Sequence, residues 1–95
     1  MSKYAWVITR DYIESDQRVG LVGPRGATLA GEDIATHPDA ERFRLKDADG
    51  EVYGEGFFVD LDGRASGFEP LDDWGRGGWG CTDIEYHTGG GWKPL

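Results

Sequence analysis

The chain has 95 residues, 38% hydrophobic and 29% charged, with a formal net charge of −8. That length fits one domain. The 13% aromatic content excludes a wholly disordered acidic chain, and no apolar run reaches the roughly 18 residues of a membrane-spanning helix.

In chain order, Tyr4 to Tyr12 reads as a strand. Tyr4, Trp6 and Ile8 alternate with Ala5, Val7 and Thr9, so both faces are largely apolar and the strand is expected to be central in its sheet. Glu14 to Arg18 is turn-like. Val19 to Val22 is a short second strand that Gly23-Pro24 stops, pairing back on the first. Thr28 to Thr36 has rough helical spacing and ends before Pro38, although Gly31 inside it costs about 1 kcal/mol relative to Ala.

The clearest hairpin runs from Arg42–Asp47 through a turn at Asp49-Gly50 into Glu51–Leu61. Asp-Gly favours a two-residue type I′ loop. Its register sets Phe43 opposite Gly56 and Leu45 opposite Gly54, so large side chains cover two glycines. On the other face it sets Arg44 opposite Glu55 and Lys46 opposite Tyr53. Asp62-Gly63 marks a further turn. Pro70 to Trp74 reads as one helical turn with Pro70 first, and Gly75 to Gly80 as a glycine-rich loop. Cys81 to Tyr86 alternates as a strand, and Gly89-Gly90-Gly91 turns the chain. The fold class expected is α+β. It comprises a single domain over 1–95 with an antiparallel sheet of four to five strands, one short helix and Gly-rich loops.

The charge is regional. Between Asp47 and Asp73 nine acids face Arg64 alone, whereas residues 1–46 and 74–95 are each balanced. Arg42, Arg44 and Lys46 offset part of this stretch across the hairpin. The acids left without local balance are Asp60, Asp62, Glu69, Asp72 and Asp73. Such a field attracts basic partners and repels nucleic acid.

No strong catalytic or metal motif is present. DADGE, Asp47 to Glu51, fails as an EF-hand. With Gly50 at the loop's glycine position, Leu45 and Gly56 fall where carboxylates belong. Cys81 and His87 on one strand lie roughly 20 Å apart, too far for a nucleophile and its base. One Cys with distant His37 and His87 has no zinc spacing. Asp72-Asp73 suits the first turn of a helix, and Arg76-Gly77-Gly78 is a single copy of an element that works in repeats. No cofactor or metal is expected. Among the tryptophans, Trp79 has glycines on both sides and is the best candidate for exposure, as an apolar anchor. The lone Cys81 fits a reducing compartment, and the start lacks the pattern of a signal peptide. A cytoplasmic protein is expected.

Two stretches, Tyr4 to Tyr12 and Phe68 to Gly75 followed by Gly80 to Tyr86, resemble short uncharacterised proteins of high-GC bacteria and their mobile elements. In class, as a small, acidic chain, the protein is also similar to phage anti-defence proteins, including anti-CRISPRs. That resemblance implies a non-enzymatic inhibitor.

The leading expectation is therefore an inhibitor that binds a basic, nucleic-acid-binding protein or complex. Asp60, Asp62, Glu69, Asp72 and Asp73 would take the places of phosphates, with Trp79 as anchor. The alternatives are a carbohydrate-binding module using Trp79 and Trp92, or a small enzyme using Cys81 or the carboxylates.

Overall fold

A computed structural model describes residues 3–95. Its strands are β1 (Tyr4–Asp11), β2 (Val22–Gly23), β3 (Glu41–Lys46), β4 (Val52–Asp60), β5 (Asp83–Thr88) and β6 (Gly91–Pro94). They form one antiparallel sheet in the order β2-β1-β4-β3-β5-β6. Two helical segments cover it: α1 (Gly31–Ala35) and α2 (Leu71–Trp79), the latter wound as a π-helix. The sheet thus has six strands rather than four or five, and there are two helical segments rather than one. No helix among the described residues is long and apolar enough to cross a membrane.

β1 is an interior strand, as its two apolar faces require, but it lies second from the edge, between β4 and the two-residue β2. Trp6 and Ile8 join Phe43, Leu45, Phe58, Ile84 and Tyr86 on one face, under Leu71 and Trp79 of α2. Ala5 and Val7 join Val59 on the other, under Ile34 of α1. Beyond α1 no helix covers that second face, and a polar layer does so. Arg42 pairs with Glu55, and Arg44 and Lys46 both pair with Glu85. The stems of the cations shield the strands below.

The β3–β4 register is the one the glycines dictate, with Phe43 opposite Gly56, Arg44 opposite Glu55 and Leu45 opposite Gly54. The turn differs. Gly50 alone has a positive φ, +85°, and the Asp47 carboxylate accepts the N–H groups of Asp49 and Glu51, each at 2.9 Å. The loop is therefore one residue longer than a type I′ pair, and Lys46 faces Val52 rather than Tyr53. A bulge at Tyr53 absorbs the extra residue and restores the register.

The segment 75–79 is not a loop. It completes α2, which Gly80 ends at φ 71°. The glycines serve packing. A Cβ on Gly75 would stand 3.0 Å from Leu45, and one on Gly78 would stand 2.3 Å from the Trp74 ring. The wide π turn brings Trp74 and Trp79 together, with ring centroids 4.6 Å apart.

Asp11 organises the connection from β1 to β2. It is 3% exposed, and its carboxylate accepts the N–H groups of Ile13, Glu14 and Arg18 at 2.8–3.1 Å. Burial alone would raise its pKa, but these bonds outweigh burial and hold it below the ordinary value.

A Cβ on Gly56 would lie 2.1 Å from the Val7 carbonyl oxygen and 2.7 Å from Phe43. Gly56→Ala is expected to lose at least about 3 kcal/mol by overpacking. Gly77 has open space around it, so Gly77→Ala is expected to be neutral or to gain up to about 1 kcal/mol. Urea unfolding of the two variants checks both. Because its folded pKa is depressed, Asp11 contributes stability above the ordinary carboxylate range that fades as pH falls through the lowered value. Asp11→Asn is expected to lose about 2 kcal/mol or more at neutral pH. The gap from the parent should shrink in acid, as unfolding curves at the two pH values will show.

Candidate functional site

Alternation along the strands carries Trp6, Phe58, Phe43 and Tyr86 into the main core. Further along β1 that face is less covered, and Tyr4 is half-buried. There Tyr4, opposite Asp60, packs on Phe58 at 6.0 Å, and Phe58 packs on Tyr86 at 6.1 Å. This row of three rings lies at one end of the sheet, with Phe58 and Tyr86 buried and Tyr4 half-buried.

Carboxylates surround it. Asp73 Oδ2 accepts the Tyr4 hydroxyl at 2.8 Å and Trp6 Nε1 at 3.1 Å. Glu69 accepts the N–H groups of Ser66 at 2.9 Å and Gly67 at 2.7 Å, and the Tyr86 hydroxyl donates to the Gly67 carbonyl at 2.7 Å. Asp60 accepts the N–H groups of Gly63 at 2.9 Å and Ala65 at 3.3 Å. Asp62 accepts those of Lys3 at 2.9 Å and Arg64 at 3.1 Å. Burial first, then the bond to Asp73 and the charges of Asp73 and Glu69, push Tyr4 up to about 12. Tyr86 is raised by burial and then by Glu41 and Glu69.

Four of the five acids singled out from the sequence thus meet at one end: Asp60, Asp62, Glu69 and Asp73. Asp72 does not join them, because it lies exposed on α2 and pairs with Arg76 at 3.1 Å. Two acids that sequence reasoning passed over belong to the group. Asp39 and Glu41 line a cleft of about 680 Å³ with Phe58, Asp60, Tyr86 and Leu95, and no basic side chain lines it. Glu41 was legible in principle, because one more step of the β3–β4 register places it opposite Phe58.

The tryptophans fall differently from expectation. Trp79 is 7% exposed, laid over Gly54 and edge-on to Tyr53. It is a core residue and presents no surface anchor. Trp92 is half-buried and already occupied: the guanidinium of Arg44 sits 4.5 Å from its ring centre, that of Arg42 5.2 Å, and His87 meets it edge-on. Trp79 is thus buried, and the Trp92 ring already meets two guanidinium groups and an imidazole.

Cys81 is buried in the main core, whereas His87 lies with Trp92 on the opposite face of the sheet. Burial, then the charges of Asp47 and Asp83, push the thiol up to about 12. A thiol so placed is a poor nucleophile. No group of three or more His, Cys, Asp or Glu side chains placed to hold a metal ion occurs among the described residues. No family model matches the chain, and neither a curated protein nor a solved structure does.

Cys81 is expected to resist a disulfide reagent such as DTNB in the folded protein at mildly alkaline pH and to react fully in denaturant. Rapid reaction of the folded protein would place the thiol in an accessible, activated setting and revive the thiol-enzyme alternative.

Proposed function

We propose that this protein is a small, acidic, non-catalytic binding protein. It docks on the basic surface of a nucleic-acid-binding protein or complex and occludes it. The observation that carries this reading is the convergence of Asp39, Glu41, Asp60, Asp62, Glu69 and Asp73 around the Tyr4–Phe58–Tyr86 row. Separate acids in a sequence can scatter over a surface. Of these, Asp39, Glu41 and Asp60 line one cleft, and none of its described lining residues is basic.

Partner lysines and arginines would meet carboxylates whose positions are set by turns and caps. Asp60, Asp62 and Glu69 accept backbone N–H groups through one or both oxygens and keep lone pairs directed outward. Such preorganisation lowers the ordering cost of binding. Exposed ion pairs add only about 0.2–1 kcal/mol each. The gain therefore lies in faster encounter and in exclusion of phosphates from the same basic groups. The likeness of class to anti-CRISPR proteins points the same way, and a buried, unpaired thiol suits a reducing cytoplasm.

The test is recovery of protein partners from a bacterial lysate at low and at high salt, with binding constants for whatever is recovered. A nucleic-acid-binding partner should be lost steeply as the Debye length falls from about 10 Å at 0.1 M to about 3 Å at 1 M salt. Asp39→Asn with Glu41→Gln should weaken binding about 2- to 30-fold, mostly in the association rate. Asp72→Asn, whose carboxylate faces Arg76, should change it least. Complexation that is equally strong at both salts contradicts the reading.

A further inference from the structure

A second cleft, of about 500 Å³, lies between β2 and the start of α2. Its walls include Trp6, Gly23, Pro24, Arg25, Asp73 and Trp74. We propose that it is a binding site for a neutral saccharide, with Trp74 as the stacking surface and Asp73 and Arg25 as the hydroxyl-binding pair. This goes beyond docking on a basic partner and uses a different cavity, lined by Asp73 and not by Asp39, Glu41 or Asp60.

Three observations carry it. The first is the fixed carboxylate. Both hydrogen bonds of Asp73, from the Tyr4 hydroxyl at 2.8 Å and Trp6 Nε1 at 3.1 Å, fall on Oδ2. Oδ1 is left to a ligand, on a side chain already held in place. The second is the fixed ring. Trp74 is half-buried, with Gly78 against its ring so closely that a Cβ there would stand at 2.3 Å. Trp79 meets it edge-on at 4.6 Å and 68°. Those contacts hold the indole while it still borders the cleft.

The third is charge. Arg25 is exposed and forms no ion pair among the described residues. With Asp73 it makes the cleft locally neutral. A phosphate would meet the Asp73 carboxylate, and a basic side chain would meet Arg25. A neutral polyol suits both, because hydroxyls donate to the carboxylate and accept from the guanidinium. A pyranose ring also presents an apolar C–H face, which lies flat on an indole. The volume falls within the roughly 300–1,000 Å³ of small-ligand sites and has room for one or two sugar units. The tryptophan-rich sequence had pointed to sugar chemistry at Trp79 and Trp92. The structure moves it to Trp74.

The test is a titration of 15N-labelled full-length protein with glucose, galactose, mannose, N-acetylglucosamine, cellobiose, lactose and chitobiose. The readout is the indole N–H signals. Trp74 reports stacking, and Trp6 reports the Asp73 carboxylate to which it donates. At least one sugar should shift both signals saturably in the millimolar range, with equal affinity at low and high salt. Arg25→Ala, at an exposed residue that packing does not need, and Asp73→Asn should each weaken that binding about tenfold, the loss of one charged hydrogen-bond pair. If no sugar in the panel moves the Trp6 and Trp74 signals, or if binding survives both substitutions, the proposal is overturned. Arg25→Ala leaves the salt-sensitive partner test unaffected, since Arg25 lies outside the acid-lined cleft, whereas Asp73→Asn also removes one of the acids proposed to meet the partner.

Discussion

Two glycines in β4 set the terms for the whole molecule. Gly54 lies under Trp79 and Gly56 under Phe43, each so close that a Cβ would overlap the ring above it. These contacts draw α2 onto the sheet and fix the β3–β4 register by shape. A slip of one residue would place Glu55 and Phe57, in turn, under rings that need bare backbone. From that register follow the opposition of Glu41 to Phe58 and its place beside the aromatic row. The acidic end of the sheet is a consequence of how its middle packs.

The acids divide by what their carboxylates do. Asp11 and Asp47 are spent on backbone N–H groups inside turns, and Glu55 and Glu85 on cations of the polar layer. Asp60, Asp62 and Glu69 do both kinds of work. They close tight turns and, in closing them, are held at the rim of one surface. Asp39 and Glu41 carry no ion pair among the described residues and border the cleft directly. The net charge is therefore partly architectural. The portion at the ringed end is the one we propose to act on another molecule.

Much of the sheet was legible from the sequence. The two-faced apolar pattern of Tyr4 to Ile8 marked an interior strand, and the glycines facing Phe43 and Leu45 marked a register. Three features were not legible, each for a non-local reason. Gly75, Gly77 and Gly78 read as a loop because glycine disfavours helix. Here Gly75 and Gly78 permit contacts with Leu45 and Trp74 that stabilise α2 from outside. β6 contains Gly91 and Pro94, poor strand formers, and is pinned at Trp92 by cations from a strand far away in sequence. The gathering of Asp60, Asp62, Glu69 and Asp73 depends on loops that cross between elements, and spacing along the chain does not encode it.

The central claim is that the ringed, acid-bordered end of the sheet is the surface that meets a basic partner. The most direct measurement is a backbone amide shift map of the labelled protein with an arginine-rich peptide at low salt. The account predicts shifts gathered at Asp39, Glu41, Asp60, Gly67 and Glu69, fading as salt is added. Shifts spread evenly over all acidic residues, or centred on α1 or on the Arg42–Arg44–Trp92 layer, would contradict it.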